Sequence, residues 1–307
     1  MTERQEAPPA VECRGTHKRF GAIRANDGVD LTVARGTVHG IIGENGAGKS
    51  TLMGLLYGHF PPDAGEITIR GRPVRFRSPK DAIAAGIGMV HQHFVLVETF
   101  TVLENLVLGC EGGALLRGAA RSAREDLARF ARDFDLALDP DAITGALPVG
   151  LRQRLEILRA LRGGADILIL DEPTAVLTPQ ESERLFAVLR RLAGEGRTVL
   201  LATHKLKEVL AVTDRVSVTR AGRIIATLDT AATDAESLAE LMIGRRLRPG
   251  DTRPHPPSPA SGGGRGGGRC LGAGSRGAYR PETARCQLFG RRGRDRRDRR
   301  RRRKRPI

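Results

Sequence analysis

No apolar run in this chain, such as Ile167 to Leu170 or Val199 to Ala202, approaches the roughly 20 residues that a membrane-spanning helix needs. The sequence therefore predicts no bilayer crossing. The first residues, MTERQEAPPAVEC, carry charge and proline where a secretory leader places an apolar stretch, so the expected compartment is the cytoplasm. Cysteine is scarce: Cys13, Cys110, Cys270 and Cys286 lie far apart, without the paired spacing of a zinc site or a disulfide framework. No segment repeats with the period of a solenoid.

What is present is a chain of 307 residues, 40% apolar, enough for one large α/β domain or two small ones and too apolar for wholesale disorder. The formal charge of +16 invites a nucleic-acid reading until it is located along the chain. Residues 1–247 carry 32 Lys and Arg against 31 Asp and Glu, whereas residues 248–307 carry 19 against 4. The body is neutral and the tail is basic.

From Val11 to about Leu247, short β-branched or apolar runs alternate with longer helical patterns, as expected of a parallel sheet covered by helices. Val38–Ile42, Ile167–Leu170 and Thr198–Ala202 read as buried strands. Between Phe94 and Leu161 the pattern is mostly helical, including Ala123–Phe134 and Arg152–Arg162, which predicts a helical subdomain inserted at about 94–161. After Arg248 the alternation stops. Residues 254–278 hold Pro, Gly, Ser and Arg with almost no large apolar side chain, and the last eighteen residues contain eleven Arg and one Lys. Such a segment cannot bury enough surface to offset its ordering entropy, so 248–307 is expected to be a disordered tail.

Gly43-Glu44-Asn45-Gly46-Ala47-Gly48-Lys49-Ser50-Thr51 fits G-x-x-x-x-G-K-[ST] and sits between a predicted strand and a predicted helix. In that context it is a phosphate-binding loop. Its glycines let successive backbone N–H groups converge on phosphate, and the helix N-terminus adds its positive dipole end. Lys49 supplies a point charge toward the β- and γ-phosphates, and the Ser50 hydroxyl is a ligand for Mg²⁺. Further along, the strand Ile167–Leu170 runs into Asp171-Glu172-Pro173. A buried strand does not end on paired acids for packing reasons, because an unpartnered buried charge is costly. Asp171 is placed to hold the Mg²⁺ shell, and Glu172 to polarise the attacking water as general base.

With these elements in order, the body from about Val11 to Leu247 resembles the nucleotide-binding domain of an ATP-binding-cassette (ABC) transporter. The resemblance implies an α/β fold, a P-loop NTPase core of ABC type carrying the helical subdomain, and ATP with Mg²⁺ as cofactors. It places Phe20, in HKRFG, where the family stacks an aromatic on adenine. Gln92, in MVHQHF, falls where the family's glutamine bridges metal and attacking water to the transmembrane partner, and His204, in LLATHKLKEV, matches the switch histidine on the γ-phosphate. Phosphate loop, glutamine loop, signature, acidic strand and histidine follow one another in the family's order.

Two stretches depart from the pattern. Where the family signature is typically L-S-G-G-Q, this chain reads Leu147-Pro148-Val149-Gly150-Leu151, so the serine hydroxyl is lost while Gly150 and the helix dipole remain. After Pro173 comes Thr174-Ala175-Val176-Leu177-Thr178, where an Asp usually follows the leucine. The strings GIGMVHQHFVLVETFTVLENLVLG and LPVGLRQRLEILRALRGGADILILDEPTAVLTPQE resemble the first half of tandem-cassette subunits that serve importers of nucleosides and simple sugars. That likeness implies an ATPase peripheral on the inner face of the membrane, partnered by transmembrane permease subunits and, indirectly, by an external solute-binding lipoprotein. It also implies a second nucleotide-binding domain, through a homodimer or a missing second cassette. A soluble cassette ATPase acting on nucleic acid or ribosomes is the alternative, but the arginine-rich tail is its sole support, and a basic tail binds polyanions without sequence design. A third reading is a truncated, non-functional product of a two-cassette gene. If the arginines of 294–305 are CGN codons, a one-base displacement permits Glu-Ile-Val-Gly-Ile-Ala-Gly-Val-Asp-Gly-Asn-Gly-Gln, which resembles the strand and degenerate phosphate loop that open a second cassette. A frameshift near residues 248–260 is therefore expected.

Overall fold

A computed structural model describes residues 8–92, 95–108, 116–134 and 137–244. All of them fall in the first of the chain's two units, Met1–Thr252, the second being Arg253–Ile307. The expected tail, the displaced-frame segment, Phe94, Cys110, Cys270 and Cys286 lie outside the described residues.

The chain opens with a hairpin, β1 (Val11–Phe20) and β2 (Ile23–Val33), turned at Gly21, whose φ of 59° suits a residue without Cβ. Next come β3 (Val38–Ile42), α1 (Lys49–Tyr57), β4 (Ala64–Ile69) and β5 (Arg72–Val74). Strands β2, β1, β4 and β5 form an antiparallel sheet in that order. The sequence pattern anticipates a parallel sheet alone; this second sheet arises because β1 alternates buried and less buried positions and is joined to β2 by a two-residue turn, which yields hairpin pairing.

After α2 (Pro79–Ala84) and β6 (Ile87–Val90) follow the helices α3 (Val102–Val107), α4 (Leu116–Phe134) and α5 (Val149–Arg162). The chain then runs through β7 (Ile167–Asp171), α6 (Pro179–Gly194), β8 (Thr198–Thr203), α7 (Leu206–Val212), β9 (Arg215–Arg220), β10 (Arg223–Asp229) and α8 (Ala235–Ile243). The main sheet has the order β10-β9-β3-β8-β7-β6, parallel except for the β9–β10 hairpin at its edge. Every residue of β3, β7 and β8 is buried, as in parallel strands covered on both faces. Ile42 pairs with Thr203 and Asp171 with Ala202, so three strands end at one edge, where open α/β sheets bind ligands.

The helical segment packs on this sheet. Val102, Leu106, Leu127, Phe130, Leu155 and Leu158 share one core with Leu168 and Leu170. Two helices start earlier than the apolar periodicity indicates. α4 begins at Leu116 rather than Ala123, because Gly118–Ser122 are small or polar, none of them is buried, and they mark no apolar face. α5 begins at Val149 rather than Arg152, with Pro148 at the N-cap, one residue before the first helical position. Thr178, where the family usually has Asp, caps α6: its hydroxyl accepts from the Glu181 N–H at 3.3 Å while the Glu181 carboxylate accepts from the Thr178 N–H at 2.9 Å.

Candidate nucleotide site

The loop between β3 and α1 is held by close backbone approach. Gly48 adopts φ 100°, and a Cβ there would lie 2.3 Å from the Ala25 carbonyl oxygen; a Cβ on Gly43 would lie 2.3 Å from that of Thr219. These positions admit glycine alone, and the loop wraps as a crest over the start of α1. Lys49 curls back across it, donating to the carbonyls of Gly43 at 2.7 Å and Glu44 at 3.1 Å. Burial depresses the Lys49 pKa, while Glu172 and Asp171 pull it back up.

Asp171 is the last residue of β7 and lies buried beneath the loop, with a hydrogen bond to the Ser50 side chain. Burial raises its pKa, and the Ser50 bond opposes that. One oxygen, Oδ1, is buried with no hydrogen-bond partner. Glu172 follows with a φ of 49°, a left-handed backbone that costs about 1–3 kcal/mol for a residue with a Cβ. Its N–H donates to the Ala202 carbonyl at 2.8 Å, which anchors the turn to β8. Glu172 Oε1 accepts from His204 Nδ1 at 2.9 Å and stands 3.9 Å from Lys49 Nζ, while Oε2 is buried without a partner. Strained backbone and orphaned carboxylate oxygens at one strand edge mark a place where binding, rather than folding, satisfies the groups.

Lys49 and Glu172 border a cleft of about 440 Å³, whereas Asp171 is not among its lining residues and lies buried behind Ser50. Asn45, Gly46, Gly48, Lys49, Ser50 and Thr51 line one wall, and Gln92, Glu172 and His204 reach it from three separate loops. Gly43 and Ala47 lie buried in the loop's base, and Glu44 is exposed on its outside. Phe20 stands at the end of β1, 46% exposed and edge-on to Phe60 at 5.2 Å; the cleft wall on that side is Ile23, its cross-strand partner. Gly150 is not brought to this cleft. It borders a separate cavity of about 230 Å³ with Pro148, Leu177 and Glu181, and a Cβ on it would meet Glu181 Oε1 at 2.4 Å.

Sequence reasoning missed Ile23, Arg24, Ala25, Ala221 and Gly222, which complete the wall from the tips of two hairpins. The tips dock on each other: Asp27 N–H donates to the Gly222 carbonyl at 2.9 Å, Gly222 N–H to the Ala47 carbonyl at 3.1 Å, and Arg223 pairs with Asp27 at 2.6 Å. The meeting of these tips over the phosphate loop is a tertiary event.

For a divalent cation, the orphaned Asp171 Oδ1 beside Ser50 is the donor chemistry that Mg²⁺ prefers, and Gln92 offers an oxygen on the same cleft.

The sequence profile of the family described as ABC transporter matches residues 26–175. This chain belongs to the ATP-binding cassettes of the ABC transporter family. It is 46% identical over 230 residues to the nucleoside import ATP-binding protein NupA of Lactococcus lactis subsp. cremoris, covering 75% of this chain and 46% of the relative. To the guanosine import ATP-binding protein NupO of Bacillus subtilis it is 47% identical over 237 residues, covering 77% of this chain and 46% of the relative. The cassette thus spans about half the length of the curated relatives it matches. Among solved structures, the ADP conformation of MJ1267, an ATP-binding cassette of an ABC transporter, superposes with a TM-score of 0.67 at 28% identity, covering 77% of this chain and 99% of that one.

Proposed function

We propose that this cassette binds and hydrolyses ATP to energise import of a nucleoside or simple sugar through permease subunits. The observation that carries the reading is the convergence of Lys49, Glu172 and His204 on one cleft at the ends of β3, β7 and β8. ATP phosphates would take the loop N–H groups and draw Lys49 off the Gly43 and Glu44 carbonyls. Mg²⁺, held by Ser50, Asp171 and Gln92, would neutralise phosphate charge when bound. His204 holds Oε1 of Glu172, which leaves Oε2 to orient the attacking water and accept its proton. Ile23 lines the side of the cleft offered to the base, and Phe20, its cross-strand partner beside the cleft, would stack on adenine there. Gly150, in its separate cavity, would serve the nucleotide of a second cassette, in a homodimer or a tandem partner, with Pro148 in place of the signature serine.

The working unit in this reading is the domain 1–247, with its helical subdomain at about 94–161. No helix among the described residues is long and apolar enough to cross a membrane, so the membrane role proposed is peripheral, on the cytoplasmic face, with permeases as direct partners and a binding lipoprotein as an indirect one. The names of the curated relatives, all import ATP-binding proteins, support an importer over a nucleic-acid ATPase. The test compares two variants with a fluorescent ATP analogue and a phosphate-release assay. Lys49→Ala should abolish binding, because Lys49 meets phosphate in the ground state. Glu172→Gln should retain binding and lose turnover, because Glu172 acts on water as reaction proceeds. Equal loss of affinity in both would refute the assignment.

A further inference from the structure

Gln92 follows β6 and so hangs from the sheet, yet the segment just beyond it is tied to the helical subdomain. Val95 exposes 57% of its surface, so side-chain packing does not hold it. Its two backbone groups do. The Val95 N–H donates to Glu156 Oε1 at 2.5 Å, and its carbonyl accepts from Arg159 Nη1 at 2.8 Å. Glu156 and Arg159 are three residues apart on α5 and therefore share a face, so the pair grips both polar groups of one residue as a neighbouring strand would.

The grip continues along the segment. Asn105 of α3, fully buried, accepts from the Val97 N–H and donates to the Val97 carbonyl, both at 2.9 Å. Arg152, one turn before Glu156, pairs with Glu98 at 3.3 Å, and the Glu98 carbonyl accepts from the Gly145 N–H at 2.8 Å. Every one of these partners belongs to α3, α5 or the turn before α5. The second oxygen of Glu156, Oε2, is buried without a hydrogen-bond partner. Burial pushes this carboxyl up to about 7, and the Val95 amide and Arg159 pull against it. A polar group held at that cost on a packed helix is placed for what it grips.

We infer that Glu156 is a positioning residue for ATP hydrolysis: with Arg159 it staples the base of the Gln92 loop to α5, so that Gln92 moves with the helix that starts at Pro148–Gly150. Displacement of α5 then reaches the cleft through the side-chain-to-backbone hydrogen bonds at Val95. This rests on the ATPase reading for its catalytic consequence, but the staple itself has an independent readout.

The test uses the full chain with Glu156→Ala, Glu156→Gln and Arg159→Ala. Hydrogen exchange should show protection at the Val95 amide falling at least about tenfold in Glu156→Ala, with amides of β7 and β8 unchanged. Glu156→Gln, whose amide oxygen can still accept from Val95, should restore much of it. In steady state, Glu156→Ala should keep ATP-analogue affinity within about twofold while kcat falls about tenfold and more Mg²⁺ is required, with partial rescue by Glu156→Gln. Unchanged protection at Val95, or equal loss across β7 and β8, overturns the staple. Lost protection with wild-type kcat and Mg²⁺ requirement overturns its role in positioning Gln92. If the parent chain binds ATP without turnover, the hydrolysis reading fails by itself, and exchange at Val95 together with Mg²⁺-dependent binding decides the staple.

Discussion

His39 lies on β3, the strand that delivers the phosphate loop, and has no exposure to solvent. Its Nε2 shares a hydrogen bond with the Ser217 hydroxyl at 2.8 Å, and Nδ1 is buried without a partner. Burial, with a smaller contribution from the Arg215 charge, lowers its pKa from 6.5 to about 4. The folded chain therefore holds the ring neutral where the unfolded chain protonates it, and stability is lost as pH falls from 6.5 through about 4. Over that window the gap corresponds to about 3 kcal/mol, most of which is spent between pH 7.5 and 4.5. That is a large share of the roughly 5–15 kcal/mol typical of a domain. The perturbation is His39→Gln, which removes the titration and keeps a polar side chain. Its fixed packing cost is the same at every pH, and Glu156, whose raised pKa makes stability fall as pH rises from 4.5 toward about 7, is present in both proteins and cancels. Urea unfolding is followed by circular dichroism, since the chain contains no Trp. The advantage of the parent over the variant should shrink by about 2 to 3 kcal/mol between pH 7.5 and pH 4.5. A difference that stays within about 0.5 kcal/mol across that range would refute the reasoning.

Two further outcomes are expected. Gly48→Ala forces a Cβ to within 2.3 Å of the Ala25 carbonyl at a φ of 100°, and should cost about 2–5 kcal/mol in urea unfolding and weaken binding of a fluorescent ATP analogue at least about tenfold. In the DNA, the displaced frame over codons 294–307 should continue downstream into a second cassette of about 200 residues; a stop in every displaced frame soon after codon 307 ends the frameshift reading.

Much of the site is legible in the chain because its chemistry demands rare residue combinations. A loop of three glycines ending in Lys49-Ser50, and an apolar strand ending in Asp171-Glu172, have few other physical uses. The strands that carry them are equally plain, since a strand covered on both faces must be apolar throughout, and β3, β7 and β8 are. The early turns of α4 were less legible, because none of Gly118–Ser122 is buried and the stretch carries no apolar period.

Sequence alone thus determined which groups the proposed reading offers to phosphate, metal and water, and in what order they occur along the chain. Tertiary structure decided what encloses them. The wall of Ile23, Arg24 and Gly222 exists because two hairpin tips from opposite ends of the domain dock through backbone bonds such as Asp27 to Gly222, and backbone bonds carry no side-chain signature. The same holds for Glu156 and Arg159, which read as an ordinary charged pair on a helix until α5 lies beside Val95. Residue identity fixes what a group can bond to, and the packing of distant segments alone selects which bond it makes.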